Sequence, residues 1–225
     1  MTPYFHRLDD LLRGRTEITQ SGRVSRAVAW LAMQVLVFGV AYGTVMGTFG
    51  GVFGERFWQV AYSAAKVPLL LLVTFGIGLP SFFVLNTLYG LRDDFGEAVR
   101  ALLAAQAGMT LILAALAPFT MLWYASSADY ASATLFNGVM FAIATVSAQW
   151  LLREFYRPLI HRQPRHRWLL RGWLVIYVFV GIQMAWVLRP FIGDPHQPVQ
   201  FFRDDAWGNA YVVVVQLIWE KIRKL

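Results

Sequence analysis

Asp93-Asp94-Phe-Gly96-Glu97 is the run of this sequence best equipped for chemistry. Three carboxylates within five residues are the kind of group that holds a divalent cation or moves a proton. A metal centre needs further oxygen ligands, and the next acidic residue is Asp129, a whole apolar segment away. Asp94 followed three residues later by Glu97 fits a capping box that starts a helix. His161 and His166 are five apart in a basic, proline-containing loop, the wrong spacing for a helical metal pair, and are expected to be solvated. His6 and His196 also fall in a tail and a loop. Cysteine is absent, which removes thiolate ligands and thiol nucleophiles. No phosphate-binding loop, serine-hydrolase elbow or HExxH string occurs. The expectation is no catalytic residue, no metal and no cofactor.

The carboxylate string resembles the motif with which membrane CDP-alcohol phosphotransferases hold divalent metal. It departs from that motif at Gly90, where the pattern has an aspartate, and two later carboxylates have no counterpart. A lipid-modifying enzyme is therefore the second alternative reading, and it would need the Asp93, Asp94 and Glu97 cluster.

The elements that must position any site are membrane helices. Of 225 residues, 57% are hydrophobic and only 15% charged, with mean hydropathy +0.49. Soluble domains carry about a quarter charged residues. A bilayer-crossing helix needs about 20 apolar residues. Runs 27–54, 67–91, 101–128 and 130–152 qualify, and 172–188 is a shorter fifth flanked by Arg171 and Arg189. The fold class predicted is an all-α polytopic transmembrane helical bundle of five spans. Residues 206–219 would reach only about 21 Å as a helix. With Gln216, Glu220 and Lys224 on one face they read as an amphipathic surface helix, with a sixth span as the alternative.

This divides the chain into a tail with its own amphipathic helix (1–26), a transmembrane domain (27–192), and an extended outer segment with the terminal helix (193–225). Of the twenty Lys and Arg, thirteen lie in the tail and in the loops after spans two and four, on one side. Positive charge marks the cytoplasmic side, so five spans put the N-terminus inside and the C-terminal segment outside. Lys221, Arg223 and Lys224 fit that placement poorly. The basic clusters suit anionic headgroups on the cytoplasmic side. No aromatic-interleaved basic groove suggests nucleic acid.

Inside the spans, three features stand out. Gly39, Gly43, Gly47 and Gly51 recur every fourth residue, a flank along which another helix can approach closely. That helix belongs to this chain, or to a second copy in a homo-oligomer, or the flank lines a pore. In span two, Pro80 crowds the carbonyl of Gly76, and with Gly78 this suggests a kink, either satisfied by Ser81, Thr74 or a neighbouring helix or opened as a broken helix that binds an ion or solute, Asn86 lying beyond. In span four, Thr134, Asn137, Thr145 and Gln149 form a stripe that serves as interhelical glue or as a solute path. The span interiors hold no ionisable residue, since Lys66 and Arg189 fall at edges, which argues against a proton-coupled machine. After span five, Arg189, Asp194 and Arg203 lie in a proline-rich crossing of the outer surface and are a candidate docking site. Arg189 is placed to cap the helix end by reaching its last carbonyls, or to pair with Asp194.

The five-span layout, with the strings Lys66-Val-Pro68 through Pro80 to Asn86 and Trp186-Val-Leu-Arg-Pro-Phe-Ile-Gly-Asp194-Pro, resembles the Yip1-like group of small bacterial inner-membrane proteins. The resemblance implies topology and a bacterial inner-membrane location, and no active-site residue. The functional expectation is a non-enzymatic scaffold or subunit of a membrane complex acting through helix packing. A small channel or facilitator is the first alternative.

Overall fold

Every long element of the chain is helical. The computed structural model describes residues 3–15, 24–204, 206–212, 219 and 223. Among these there are six α-helices, one 3-10 turn at Arg92–Asp94 and no strand. They are α1 (Pro3–Leu12), α2 (Val24–Gly47), α3 (Arg56–Leu88), α4 (Phe95–Ser126), α5 (Tyr130–Arg162) and α6 (His166–Leu188). The five from α2 to α6 are long and apolar enough to cross a membrane. The terminal helix expected over 206–219 lies, from residue 213 to 218, outside the described residues, as do Gln216, Glu220 and Lys224.

Helix ends follow local chemistry. Gly50, Gly51 and Gly54 have φ of +81°, +113° and +64°, a region that costs other residues strain. They turn the chain between α2 and α3, so α2 stops at Gly47 and Gly51 leaves the glycine flank. Asp129 starts α5 by accepting the Ser132 N–H at 2.8 Å. Hydrogen bonds from the Ser132 backbone and side chain hold the Asp129 carboxyl below its usual pKa. At α4 the expected capping box does not form. Asp94 occupies the N-cap position without a side-chain cap bond, because stronger partners claim both carboxylates. Arg162 pairs with Asp94 at 3.4 Å and with Glu97, and His166 Nε2 lies 3.1 Å from Asp94 Oδ2. His166 is thus a fully buried first residue of α6, not a solvated loop residue.

The expected second span begins eleven residues too late. α3 starts at Arg56, which places Lys66 a third of the way along it and fully buried. Charge alone suggested an edge. The helix continues because Gln59, Ser63 and Lys66 share one buried face, from which Ser63 and Lys66 bond to a covering segment while Gln59 donates to Ser63.

The order of packing differs from the order in sequence. α6 packs on α3, α3 on α2, α2 on α4, and α4 on α5, while α3 touches α4 little and α5 touches α6 little. The five helices form an arc whose two ends, α5 and α6, are consecutive in the chain. α4 is the most deeply buried span and α6 the least, with 50% and 11% of their most apolar windows buried. The stretch from Ala98 to Gly108 lets α4 sit centrally, because Ala101, Ala104, Ala105 and Ala107 present little bulk to their neighbours. α1 lies across the arginine-rich side, with Leu8 and Leu11 buried and Tyr4 donating to Gln34 Oε1 at 2.8 Å.

The glycine flank builds one side of the arc. A Cβ at Gly39 would lie 3.1 Å from Pro68 Cβ, one at Gly43 2.9 Å from Ala64 Cα, and one at Gly47 2.7 Å from Val60 Cα. At Gly43 and Gly47 the closest contacts are to the backbone of α3, so the small-residue flank is used within this chain.

A candidate binding cleft between the two ends of the helical arc

Both ends of the seam between α5 and α6 are tied. On the arginine-rich side, Arg162 and His166 join the α5–α6 turn to Asp94, just before α4, and to Glu97 in its first turn. On the opposite side, residues 189–203 cross over the seam as a strap. Lys66 Nζ donates to the Pro190 carbonyl at 2.7 Å and Ser63 Oγ to the Phe191 carbonyl at 2.5 Å. Tyr130 Oη donates to the Ile192 carbonyl at 3.3 Å, which fixes the strap to α5. Between these ties the seam opens sideways.

Two cavities lie in the seam and share Leu70 and Ala185 as walls. The upper one, about 440 Å³, sits under the strap and is lined by Tyr130, Thr134, Asn137, Gly138, Arg189 and Arg203 among others. The lower one, about 340 Å³, lies between α3, α4, α5 and α6. Its walls are apolar, including Leu71, Leu102, Met109, Trp173 and Tyr177, with Thr74, Gln106, Thr145 and Gln149 as its polar groups. No Asp, Glu, Lys, Arg or His lines it.

The polar residues of the two cavities differ in one decisive respect. Asn137 is closed off: Tyr42 Oη donates to its Oδ1 at 3.0 Å, and its Nδ2 donates to Tyr124 Oη at 2.7 Å and the Ala133 carbonyl at 2.8 Å. Tyr124 Oη in turn donates to the Met46 carbonyl at 3.3 Å. This network joins α2, α4 and α5 and leaves nothing over for a solute. Asn137→Leu would leave the Tyr42 hydroxyl with only its longer contact to Thr120 Oγ1 at 3.5 Å and would free Tyr124. The expected outcome is a loss of roughly 1–3 kcal/mol, read as a lower thermal midpoint in detergent. By contrast, Thr74 Oγ1 and Gln106 Oε1 are buried and have no partner. Backbone is satisfied within a helix, but these side chains are not, and in lipid no water reaches them.

The residues singled out from sequence fall in different places. Gly76, Pro80 and Ser81 are exposed on the outer side of an unbroken α3, and no atom lies within 4 Å of a Cβ built on Gly76. They line neither cavity. Gly78 meets the ring of Trp173 across the α3–α6 contact, and buried Asn86 donates to the Phe82 carbonyl of its own helix. Thr145 and Gln149 do border the lower cavity. Arg189 lies on the Trp186 ring, 3.2 Å from its centroid. Asp194 accepts from the His196 N–H at 2.9 Å. Sequence reasoning passed over Gln106, the lone amide of an alanine-rich stretch. An amide in a lipid-crossing helix turns toward protein, and that was the signal that could have found it.

Fold and seam together define a polytopic helical membrane bundle with a laterally open cleft. Among the described residues no group of three or more His, Cys, Asp or Glu stands ready for a metal. Comparison with protein-family models finds no match, and neither curated proteins nor solved structures match the chain.

Proposed function

We propose that this is a non-enzymatic integral membrane protein that works as a subunit of a membrane complex. A transmembrane helix of a partner, or of a second copy, docks along the α5–α6 seam and offers a polar side chain to the lower cavity. The arginine-rich side faces the cytoplasm and its anionic headgroups, in a bacterial inner membrane.

One observation carries this reading: Thr74 Oγ1 and Gln106 Oε1 are unpaired at mid-depth in a cavity that opens to the membrane. At that depth the surroundings supply hydrocarbon tails and the side chains of other helices. Lipid headgroups stay at the interfaces, and no charged residue is present in the cavity to draw one down. A serine, threonine, asparagine or glutamine on a neighbouring helix supplies the missing hydrogen bonds, each worth about 0.6–2 kcal/mol in a membrane.

The test separates docking from folding. Thr74→Val with Gln106→Leu removes two groups that bond to nothing within this chain, so the isolated protein keeps or raises its thermal midpoint. Recovery of the complex from native membranes falls at least tenfold, and a photo-reactive residue at Val178 stops cross-linking to protein. A native mass that stays monomeric in mild detergent, with no protein cross-link from Val178, rejects the reading. Solute flux into proteoliposomes that Gln149→Leu abolishes would replace it with the facilitator.

A further inference from the structure

Helix docking at mid-depth leaves the upper cavity of the seam unused. That cavity begins level with the first residue of α5, Tyr130, and reaches down to Phe141, about 16 Å along the helix. Its upper end is bounded by Arg189, the residue directly after α6, and so lies at the membrane surface on the strap side. Its lower end lies among apolar side chains. We propose that this cavity holds the phosphate of an anionic phospholipid from the strap-side leaflet, gripped between Arg189 and Arg203, with the acyl chains leaving through the lateral opening.

The charge of the cavity is one-sided. Among the described residues that line it, Arg189 and Arg203 are the charged ones, and both are cations. Lys66 adds a third positive charge behind the strap, where it donates to the carbonyl of Pro190, itself a lining residue. Asp194 and Asp204 border a different pocket, built from the strap and Gln59. Arg203 borders that pocket as well, yet among the described residues its side chain makes no ion pair with either carboxylate.

The shape and the donors fit a phosphate. The Arg189 guanidinium sits over the Trp186 ring, 3.2 Å from its centroid, which fixes where its charge is presented. A guanidinium donates along its planar edge, and two of them on one space match the several oxygens of a phosphate. The volume of about 440 Å³ falls within the range of small-molecule sites, about 300–1,000 Å³. The floor suits the other half of a lipid. Met46, Leu70, Phe141 and Ala185 form apolar walls, and Leu70 and Ala185 continue into the lower cavity.

The bilayer is the source that fits all of these features. It presents phosphate at this depth everywhere along the strap side, and it attracts basic residues by about 1 kcal/mol each where its headgroups are anionic. A soluble phosphate ester would gain nothing from the apolar walls. The site is separate from Thr74 and Gln106, which line the lower cavity, and it does not require a helix to dock there.

A photo-reactive residue at Thr134, an exposed position on the cavity wall, reports this site apart from the basic side of the protein. The full chain is placed in vesicles of equal parts dioleoyl-phosphatidylglycerol and dioleoyl-phosphatidylcholine, and the cross-linked species are identified by mass. Phosphatidylglycerol is expected to exceed phosphatidylcholine at least tenfold. Arg203→Gln is expected to lower that yield about fivefold, the effect of one interfacial cation. Arg167→Gln, exposed on the arginine-rich side, is expected to leave it unchanged. Each variant is first shown to melt like the parent. Equal yields from the two lipids, an undiminished yield in Arg203→Gln, or cross-linking to protein in place of lipid overturns the proposal. Displacement of the lipid by free glycerol phosphate does so too, since it would make the ligand a soluble ester.

Discussion

Gly43→Val melts well below the parent protein, by roughly 3 kcal/mol or more, a drop on the order of 6–12 °C for a chain of this size. The cost is steric and has no easy relief. The first atom added at Gly43 meets the α3 backbone, with Ala64 Cα at 2.9 Å, and a helix backbone cannot rotate out of the way as a side chain can. α2 must then retreat from α3, and every link of the arc beyond it shifts. Gly47→Val acts the same way, since its Cβ would sit 2.7 Å from Val60 Cα. Gly76→Ala and Gly138→Ala are the matched controls. Both are helical, and nothing lies within 4 Å of the added carbon. Each is expected to keep the midpoint or raise it by up to about 1 kcal/mol, the difference in helix propensity. Should Gly43→Val melt like the parent yet shift the protein from oligomer to monomer, the flank would serve contact between copies instead.

The glycine period was readable because one spacing on one helix defines a flank, and the backbone that meets it follows from close packing in lipid. Which helix supplied that backbone was not readable. Sequence order suggested neighbours, but the arc places α2 between α3 and α4 and leaves consecutive α5 and α6 at opposite ends. Loop lengths permit both arrangements. The stripe on α5 left interhelical glue and a solute path open; Asn137 is buried among neighbouring helices, whereas Thr145 is exposed and Gln149 half-buried at the open cavity. The stripe could not show that Asn137 is closed by tyrosines from α2 and α4 while Gln149 borders an open cavity, because Tyr42 and Tyr124 look like ordinary apolar filling in a span. His166 was misread for a related reason: its partner Asp94 is 72 residues away, and local composition around it is that of a solvated loop.

Lys66 was misplaced by the rule that charge ends a span, and its role yields the second large effect. Its ammonium donates to the Pro190 carbonyl at 2.7 Å and lies 5.0 Å from the Phe201 ring centroid. With Ser63 on Phe191 and Gln59 against Gly193, it holds the strap to α3 at three points on one face. Lys66→Ala is expected to cost roughly 2–4 kcal/mol, from the cavity left by a fully buried long side chain and from a buried carbonyl left without a donor. Lys66→Met is expected to cost no more than about 1 kcal/mol. It fills the space and removes a desolvated charge, which offsets the lost hydrogen bond. Both variants should speed amide exchange over residues 189–203 at least tenfold, as mass spectrometry would show. Unchanged exchange in Lys66→Met would assign the anchoring to Ser63 and Gln59 alone. The Met variant also divides the cleft functionally. It loosens the roof over the upper cavity, where Arg189 and Arg203 sit, and leaves Thr74 and Gln106 in place. Retained partner recovery in Lys66→Met, beside its loss in the Thr74 and Gln106 variant, would locate docking at mid-depth; loss in both would make the strap part of the docking surface.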